Sequence, residues 1–291
     1  MPAAEVAIDA TLVRDLLREQ HRDLADLEIV ELANGWDNVL FRLGRELTVR
    51  MPRRAAAAPL IENEQRWLPN LALKLPLRVP VPVRVGQPGL GYPWTWSVCE
   101  WMKGEIAERA VLNDPDAEAR RLGSFLAALH QTAPTNAPLN EFRGGPLAGR
   151  SVAVAERVER LSGLIDAGRV LSEWNSVVAT PVWSGQPSWL HGDLHPANIL
   201  VRNGRIDAVL DFGDITSGDP ATDLAVGWML FEPPVRASFR DSYGRADDAT
   251  WARARGWALH LSLAYLVGSA DNPLMSQIGT RTLAAVLASP L

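Results

Sequence analysis

The chain has 291 residues, of which 47% are hydrophobic and 22% charged, and its formal net charge is −5. This globular balance suits two lobes of unequal size, and the acidity argues against a sequence-independent nucleic-acid binder. A single cysteine, Cys99, excludes an internal disulfide and predicts that the protein is located in the reducing cytoplasm. No uncharged apolar run reaches about 18 residues, so no membrane span is predicted.

The first hundred residues are dominated by patterns typical of β-strands. A helix is predicted over 10–21, followed by strand-like runs and a second helix. The runs occupy 27–32, 39–43, 46–51 and 94–102, and the second helix 56–69. Gly44-Arg45 reads as a two-residue hairpin turn, which would pair Leu43 with Glu46 and Val39 with Arg50.

From about residue 115 the hydrophobic period becomes helical. Helices are predicted over 117–131, 151–166, 221–231, 235–243, 248–270 and 275–288. One hairpin lies among them, because Asn203-Gly204 is a strong type I′ turn signal. The sequence therefore predicts an α+β protein, with a β-rich part over 1–100 and a larger, mainly helical part over 101–291.

The window 189–214 concentrates polar side chains around this hairpin. Pairing outward from Asn203-Gly204 brings Asn198 and Asp211 to the open end of the hairpin. An amide oxygen and a carboxylate are hard ligands that suit Mg²⁺. Asp193 lies on the loop that enters the hairpin and is therefore expected near such a metal.

The same window carries a recognisable spacing. It reads H-x-D-x-x-x-x-N over His191–Asn198, followed by D-F-G at 211–213. With "HGDLHPANIL" and "DFGDITSGDPATDLA", the chain closely resembles the aminoglycoside phosphotransferase family, relatives of the protein kinases. The resemblance implies a kinase-like two-lobe fold, and transfer of the γ-phosphoryl group of ATP or GTP to a hydroxyl of a small molecule.

The resemblance also implies roles for individual residues. Asp193 would be the catalytic aspartate, and Asn198 and Asp211 would hold Mg²⁺. His191 would be structural, and Asp223 would anchor the catalytic-loop backbone. Two further residues could belong to the acceptor site or support the metal, and these are His195 and Asp214.

On the nucleotide side the sequence departs from the kinase pattern. The glycine-rich loop is absent, and neither lysine falls in the expected strand. The hairpin register places Arg50 where a cation could grip phosphate, and Glu64, or Glu62 in another register, resembles its carboxylate partner. Backbone groups near the nucleotide are expected at Asn34, Gly35, Asn38, Glu100 and Met102.

Several alternatives remain at this stage. His191, Asp193 and His195 could form a zinc site of a hydrolase, although Asn198 and Asp211 would then have no role. A regulator that binds a nucleotide without turnover is a second alternative. The acceptor could be a cationic aminoglycoside, which the acidic excess after residue 100 would favour, or a metabolite such as an amino alcohol or a sugar.

Overall fold

The computed structural model describes residues 3–269 and 271–288. The chain is an α+β protein that divides into two compact units. The N-terminal unit comprises Met1–Lys74, Arg78–Lys103 and Ala208–Ile215, and the C-terminal unit comprises Leu75–Leu77, Gly104–Asp207 and Thr216–Leu291. The sequence alone assigned 208–215 to the helical part, but contacts of Asp211 and Phe212 with Arg50 and Glu64 bind this segment to the N-terminal unit.

The N-terminal unit is built on a five-stranded antiparallel sheet of order β1-β2-β3-β5-β4. The strands are β1 (Ile29–Asn34), β2 (Asn38–Leu43), β3 (Leu47–Pro52), β4 (Pro82–Gly86) and β5 (Trp96–Glu100). Two helices accompany the sheet, α1 (Ala10–Gln20) and α2 (Ala58–Ala72). The proline-rich segment 75–93 supplies β4. The position of β4 at the edge of the sheet agrees with proline's lack of an N–H donor.

The core of this unit follows from period-two and helical patterns. Strand β2 alternates between partly exposed and buried positions, with Val39, Phe41 and Leu43 buried. They belong to the same apolar cluster as Leu16 and Leu17 of α1. Burial of such side chains contributes about 1.5–3 kcal/mol each.

The register of the β2–β3 hairpin differs from the sequence prediction. Leu43 pairs with Leu47 and Leu40 with Arg50, so the turn has three residues, Gly44 to Glu46. The predicted two-residue turn was wrong, because Leu43 pairs with Leu47 rather than with Glu46. Gly44 has a positive φ of 57° and donates its N–H to the carbonyl of Glu28, outside the hairpin.

The C-terminal unit is mainly helical. Its helices are α3 (Pro115–Leu129), α4 (Ser151–Arg160), α5 (Ala167–Val178), α6 (Ala221–Leu224), α7 (Val226–Leu230), α8 (Pro233–Tyr243), α9 (Asp248–Gly268) and α10 (Pro273–Ala288). Helix α9 is buried along most of its length. The predicted helix 151–166 ends at Arg160, and α5 follows as a separate element. No helix within the described residues has the length and apolarity needed to cross a membrane.

Short strands complete the C-terminal region. They are β6 (Glu105–Ile106), β7 (Ser188–Leu190), β8 (Ile199–Arg202), β9 (Arg205–Val209) and β10 (Thr216–Gly218). The predicted β8–β9 hairpin is confirmed, because Asn203 and Gly204 both have positive φ, as a type I′ turn requires. Glu118 of α3 fixes the hairpin by accepting a hydrogen bond from the N–H of Ile206 at 2.8 Å.

Candidate active site

The loop between β7 and β8 holds Asp193 in a defined backbone conformation. The N–H of Asp193 donates to Nδ1 of the fully buried His191 at 3.2 Å. The carbonyl of Asp193 accepts from Nδ2 of Asn198 at 3.0 Å. Both backbone polar groups of Asp193, its N–H and its carbonyl, are therefore hydrogen-bonded to side chains from the same motif.

Asp223 fixes the preceding residues of this loop. Its two carboxylate oxygens accept from the N–H of His191 (2.7 Å) and the N–H of Gly192 (2.9 Å). Nε2 of His130, a residue that the sequence did not single out, lies 3.1 Å from Asp223 Oδ2. Burial would raise the pKa of Asp223, but His130, His191 and the Gly192 N–H lower it below its ordinary value, because they stabilise the carboxylate.

The carboxylate of Asp193 is in contact with an arginine and a histidine. Arg143 donates from Nη2 to Asp193 Oδ1 at 3.1 Å and from Nε to the carbonyl of Gly192 at 2.6 Å. Nε2 of His195 lies 3.5 Å from Asp193 Oδ2. Burial would raise the pKa of Asp193, but His195, Arg143 and His191 lower it well below its ordinary value. Asp193 is therefore ionised at neutral pH.

The sequence analysis missed Arg143. It stands in the irregular segment before α4, within "LNEFRGGPLAGR", where no periodicity or motif marks it. Its role depends on contacts with residues about fifty positions later. The pair of glycines that follows was the one available signal of an unusual backbone, and Gly144 does have a positive φ of 73°.

His195 is buried beside the loop. Its ring meets the ring of Tyr265 edge-on at 5.8 Å, and its Nε2 lies 3.3 Å from Nδ2 of Asn198. These contacts place His195 against both the carboxylate of Asp193 and the amide of Asn198. It can therefore orient the two groups relative to each other.

In the N-terminal unit, Arg50 lies between two carboxylates, and we name Arg50, Glu64 and Asp211 the Arg50 triad. Nη1 of Arg50 lies 3.0 Å and 2.9 Å from the two oxygens of Glu64, and Nη2 donates to Asp211 Oδ1 at 3.0 Å. The alternative Glu62 is exposed, so the register with Glu64 is the one that the fold adopts.

The triad is buried at one end and open at the other. Glu64 is fully buried, whereas 54% of the Asp211 side chain is exposed. Burial raises the pKa of Glu64 to about 7 although Arg50 opposes the rise. Burial would lower the pKa of Arg50, but Glu64 and Asp211 raise it above its ordinary value, so Arg50 stays charged.

Asp211 adopts a left-handed backbone conformation, with φ 60° and ψ 69°. Aspartate tolerates this region better than most residues. The following Phe212 is fully buried, and Asp214, at the end of the same 3₁₀ turn, is partly exposed. The turn thus buries its aromatic side chain and leaves the Asp211 carboxylate accessible.

One of the three backbone donors that the sequence suggested in the β1–β2 turn, the N–H of Gly35, is used within the turn itself. The N–H of Gly35 donates to the carbonyl of Asn38 at 2.9 Å, which closes the turn between Asn34 and Asn38 and makes that N–H unavailable to phosphate. Arg53, also missed from the sequence, is buried and donates to the carbonyl of Gly35 at 2.9 Å. Arginine contacts, rather than a glycine-rich backbone, fix this turn.

The segment after β5 contains the two residues expected to meet the nucleotide base. Glu100 is exposed and accepts from Nη2 of Arg78 at 2.8 Å. Met102 is buried. Between them, Trp101 donates its N–H to the carbonyl of Glu46 and lies beneath the guanidinium of Arg42 at 4.1 Å. This pairing fixes the path of the backbone on both sides of Trp101.

The two residues expected to bind a metal have suitable chemistry. Asn198 belongs to the C-terminal unit, and the use of its Nδ2 by Asp193 leaves its amide oxygen for a cation. Asp211 belongs to the N-terminal unit and keeps an exposed carboxylate oxygen besides the one that Arg50 binds. Oxygen donors of these types fit Mg²⁺. No cluster of three or more His, Cys, Asp or Glu side chains suited to a metal occurs over 3–269 and 271–288.

Comparison with known proteins gives the family. The sequence pattern of the phosphotransferase enzyme family, APH, matches residues 28–257, which is most of the chain. This chain belongs to the phosphotransferase enzyme family. The matched residues include the Asp193 loop, Asp211 and Arg50.

Individual relatives support the fold. The GDP and kanamycin complex of APH(2'')-IIIa is 20% identical, with a TM-score of 0.74 over 96% of this chain and 99% of that one. Macrolide 2'-phosphotransferase type I is also 20% identical, with a TM-score of 0.65 over 99% and 98%. These likenesses show a kinase-like fold, as the sequence predicted.

A sequence relative covers less of the chain. The uncharacterized protein YcbJ of Bacillus subtilis (strain 168) is 28% identical over 165 residues, or 56% of this phosphotransferase and 54% of YcbJ. The match thus spans about half the length of that curated relative.

Proposed function

We propose that this phosphotransferase moves the γ-phosphoryl group of ATP or GTP to a hydroxyl group of a small molecule. The observation that carries the proposal is Asp193, whose backbone is anchored by His191 and Asn198 and whose carboxylate is bound by Arg143 and is ionised at neutral pH. A fixed, ionised carboxylate can accept a hydrogen bond from the attacking hydroxyl and take its proton as the phosphoryl group transfers.

Arg50 is proposed as the cation on the nucleotide phosphates. Kinases use a lysine paired with a helix carboxylate for this task, and here Arg50 on β3 is paired with Glu64 on α2. The planar guanidinium keeps its charge when buried and can donate to more than one phosphate oxygen. Met102 and Glu100 are proposed to lie beside the base, by resemblance to the family.

Asn198 and Asp211 are proposed to hold Mg²⁺. The Asp211 carboxylate is accessible. The hydrogen bond from Asn198 to the Asp193 carbonyl uses the amide nitrogen of Asn198 and not its amide oxygen. When bound, the ion would neutralise negative charge on the nucleotide phosphates. To test this, nucleotide binding is measured by calorimetry with and without Mg²⁺. Asp211→Ala should abolish the Mg²⁺-dependent part, and equal Mg²⁺ dependence in both proteins would contradict the assignment.

The direct test of the function is nucleoside-diphosphate release with a panel of hydroxylated acceptors. Release should depend on the acceptor, and phosphorus NMR should show a new phosphate ester. Asp193→Asn should lose the acceptor-dependent release and keep nucleotide binding. Nucleotide binding by the wild type without any acceptor-dependent or Asp193-dependent release would instead support the regulator.

Two acceptor classes compete. The relative crystallised with kanamycin supports an aminoglycoside, whose amino groups are cationic. The guanidinium of Arg143, however, lies directly on the carboxylate to which the acceptor hydroxyl would bind, and it would repel a cation there. This contact favours a metabolite kinase whose acceptor carries no positive charge, such as a sugar, and the assay panel therefore includes aminoglycosides, amino alcohols, sugars and hydroxy acids.

A further inference from the structure

Three arginines of the C-terminal unit interact with one another, and one of them, Arg143, contacts the Asp193 loop. We name Arg143, Arg150 and Arg157 the arginine cluster. Arg143 is in the segment before α4, Arg150 precedes the first residue of α4, and Arg157 lies on the helix itself. Positions seven apart fall on one face of a helix, so Arg150 and Arg157 extend from the same side of α4.

Hydrogen bonds connect the cluster to the catalytic loop. Arg143 contacts Asp193 and the carbonyl of Gly192. Arg150 reaches back to the segment that carries Arg143 and donates from Nη2 to the carbonyl of Glu141 at 2.7 Å. Nη1 of Arg157 lies 3.1 Å from Nδ1 of the buried His260 on α9. Since a guanidinium can only donate, the ring nitrogen accepts and His260 is neutral.

Electrostatic effects on the pKa values of these side chains also indicate that they lie close to one another. Burial lowers the pKa of His260 to about 3, with further lowering by Arg157, Arg143 and Arg150. Burial also lowers the pKa of Arg157, and Arg143, Arg150 and Arg160 add to the effect while Glu156 opposes it. Three guanidinium groups thus act on one another and on the same imidazole.

The cluster holds more positive than negative charge. Asp193 is the carboxylate that pairs with Arg143. Arg150 and Arg157 bind a carbonyl and a neutral imidazole, and in the described part of the chain neither has a carboxylate within 4.0 Å. Nε of Arg150 is buried without a hydrogen-bond partner among those residues. Arg150 as a whole is partly exposed, so an oxyanion that reaches its guanidinium would be stabilised by charge-assisted hydrogen bonds.

We propose that the arginine cluster binds an anionic group of the acceptor, a carboxylate or a phosphate, and that the substrate is therefore a small hydroxylated acid. The inference rests on the proposed function, because Asp193 would hold the hydroxyl while Arg150 and Arg157 hold the anion of the same molecule. Arginine forks match the oxygen pairs of both carboxylate and phosphate groups.

The first test measures binding without catalysis. D-gluconate and glycerol 3-phosphate, as carboxylate and phosphate probes, and glucose, as the neutral control, are titrated by calorimetry at constant ionic strength. The wild type should bind at least one anion and bind glucose much more weakly. Arg150→Gln/Arg157→Gln should bind that anion roughly ten- to hundredfold more weakly, whereas Arg109→Gln, at an exposed arginine of the same unit, should match the wild type.

Anions could also bind at the nucleotide site, so each titration is repeated with ADP and Mg²⁺ present. Anion binding that persists with ADP and is lost in the double variant supports the cluster. Binding that ADP abolishes, or that the double variant retains, overturns the proposal and assigns the anion to the nucleotide site or elsewhere.

The second test measures turnover with two sets of acceptors, each of which contains an acid, a neutral alcohol and an amine. The first set is gluconate, glucose and glucosamine, the second is glycerate, glycerol and ethanolamine, and kanamycin is tested beside them. The acid of each set should have the highest kcat/KM, and the double variant should raise its KM without changing the KM for nucleotide. Faster, Asp193-dependent phosphorylation of kanamycin or an amine would overturn the anionic acceptor and leave the proposed function standing. Cluster-dependent anion binding without any phosphorylation would overturn the proposed function and leave the anion-binding site standing.

Discussion

The Arg50 triad and the arginine cluster handle charge in opposite ways. In the triad one guanidinium lies between two carboxylates, and each of its contacts is within 3.0 Å. In the cluster Arg143 contacts the carboxylate of Asp193, and among the described residues Arg150 and Arg157 donate to a backbone carbonyl and a neutral imidazole. The triad therefore pairs its cation with two carboxylates, whereas Arg150 and Arg157 have no carboxylate within 4.0 Å over 3–269 and 271–288.

This difference separates two uses of buried arginine. A compensated cation such as Arg50 is held in a fixed position, because moving it would leave Glu64 as an unpaired buried charge. An uncompensated cluster near a fixed carboxylate gains stability from an added anion. The first arrangement suits the preorganised grip on a phosphate chain, and the second suits selection of a substrate. Four variants test whether this division holds.

The largest effect is expected at Asp193, the carboxylate that Arg143 of the cluster contacts. Asp193→Asn should lower turnover by roughly 10²–10⁴, the usual contribution of a positioned base, while nucleotide binding by calorimetry stays near normal. Asp116→Asn, at an exposed position of the same unit, serves as the control. Turnover of the purified Asp193→Asn protein within a factor of a few of wild type would remove Asp193 from the catalytic step.

The next effect is expected at Arg50. Arg50→Ala leaves Glu64 buried without its partner, which should cost about 3–5 kcal/mol of unfolding free energy, measured by urea denaturation, and should strongly lower kcat/KM for nucleotide. Arg50→Lys should retain part of both, because it keeps the charge but not the fork. An Arg50→Ala protein with wild-type kcat/KM for nucleotide would show that phosphate is bound elsewhere.

Arg143 is expected to give a smaller effect, because it acts through Asp193 and the loop. Arg143→Gln removes two charge-assisted hydrogen bonds, and a bond of this kind contributes about 1.5–3 kcal/mol. We expect kcat to fall roughly tenfold or more with little change in the KM for nucleotide, and Arg143→Lys to restore part of it. If Arg143→Gln altered only unfolding free energy and not kcat, Arg143 would be structural and the cluster would lose its link to catalysis.

The smallest effect is a pH dependence at His260. Its pKa is about 3 in the fold and 6.5 ordinarily, so between these values the unfolded chain binds one more proton than the native protein. Stability should therefore fall as pH decreases through this window, by at most about 1.4 kcal/mol per pH unit. Unfolding free energies from pH 7 to 4 should show a shallower slope in His260→Asn. Equal slopes in the two proteins would mean that His260 is not held neutral in the native fold.

Local chemistry made much of the fold predictable. The α1 helix, the β8–β9 hairpin and the helix-rich second part follow from hydrophobic period and from Asn203-Gly204, which are short-range signals. The β2–β3 register was not predictable in the same way, because the hydrogen bond from Gly44 to Glu28 depends on a residue outside the hairpin. The helix predicted beyond Arg160 failed for a related reason, since amphipathic spacing does not mark where a helix ends and another begins.

The sequence by itself determined the family, the Asp193–Asn198 spacing and the residue types of the Arg50 triad, because these signals lie within short segments whose backbone geometry fixes their meaning. Only the tertiary structure decided that the Gly35 N–H is used within its own turn and that Glu64, not Glu62, pairs with Arg50. It also decided that Arg143 lies on Asp193 and that Arg157 lies on His260, about a hundred residues away. Such pairings form only when distant segments of the chain pack together. The residues next to an arginine in the sequence do not indicate which distant side chain it will contact.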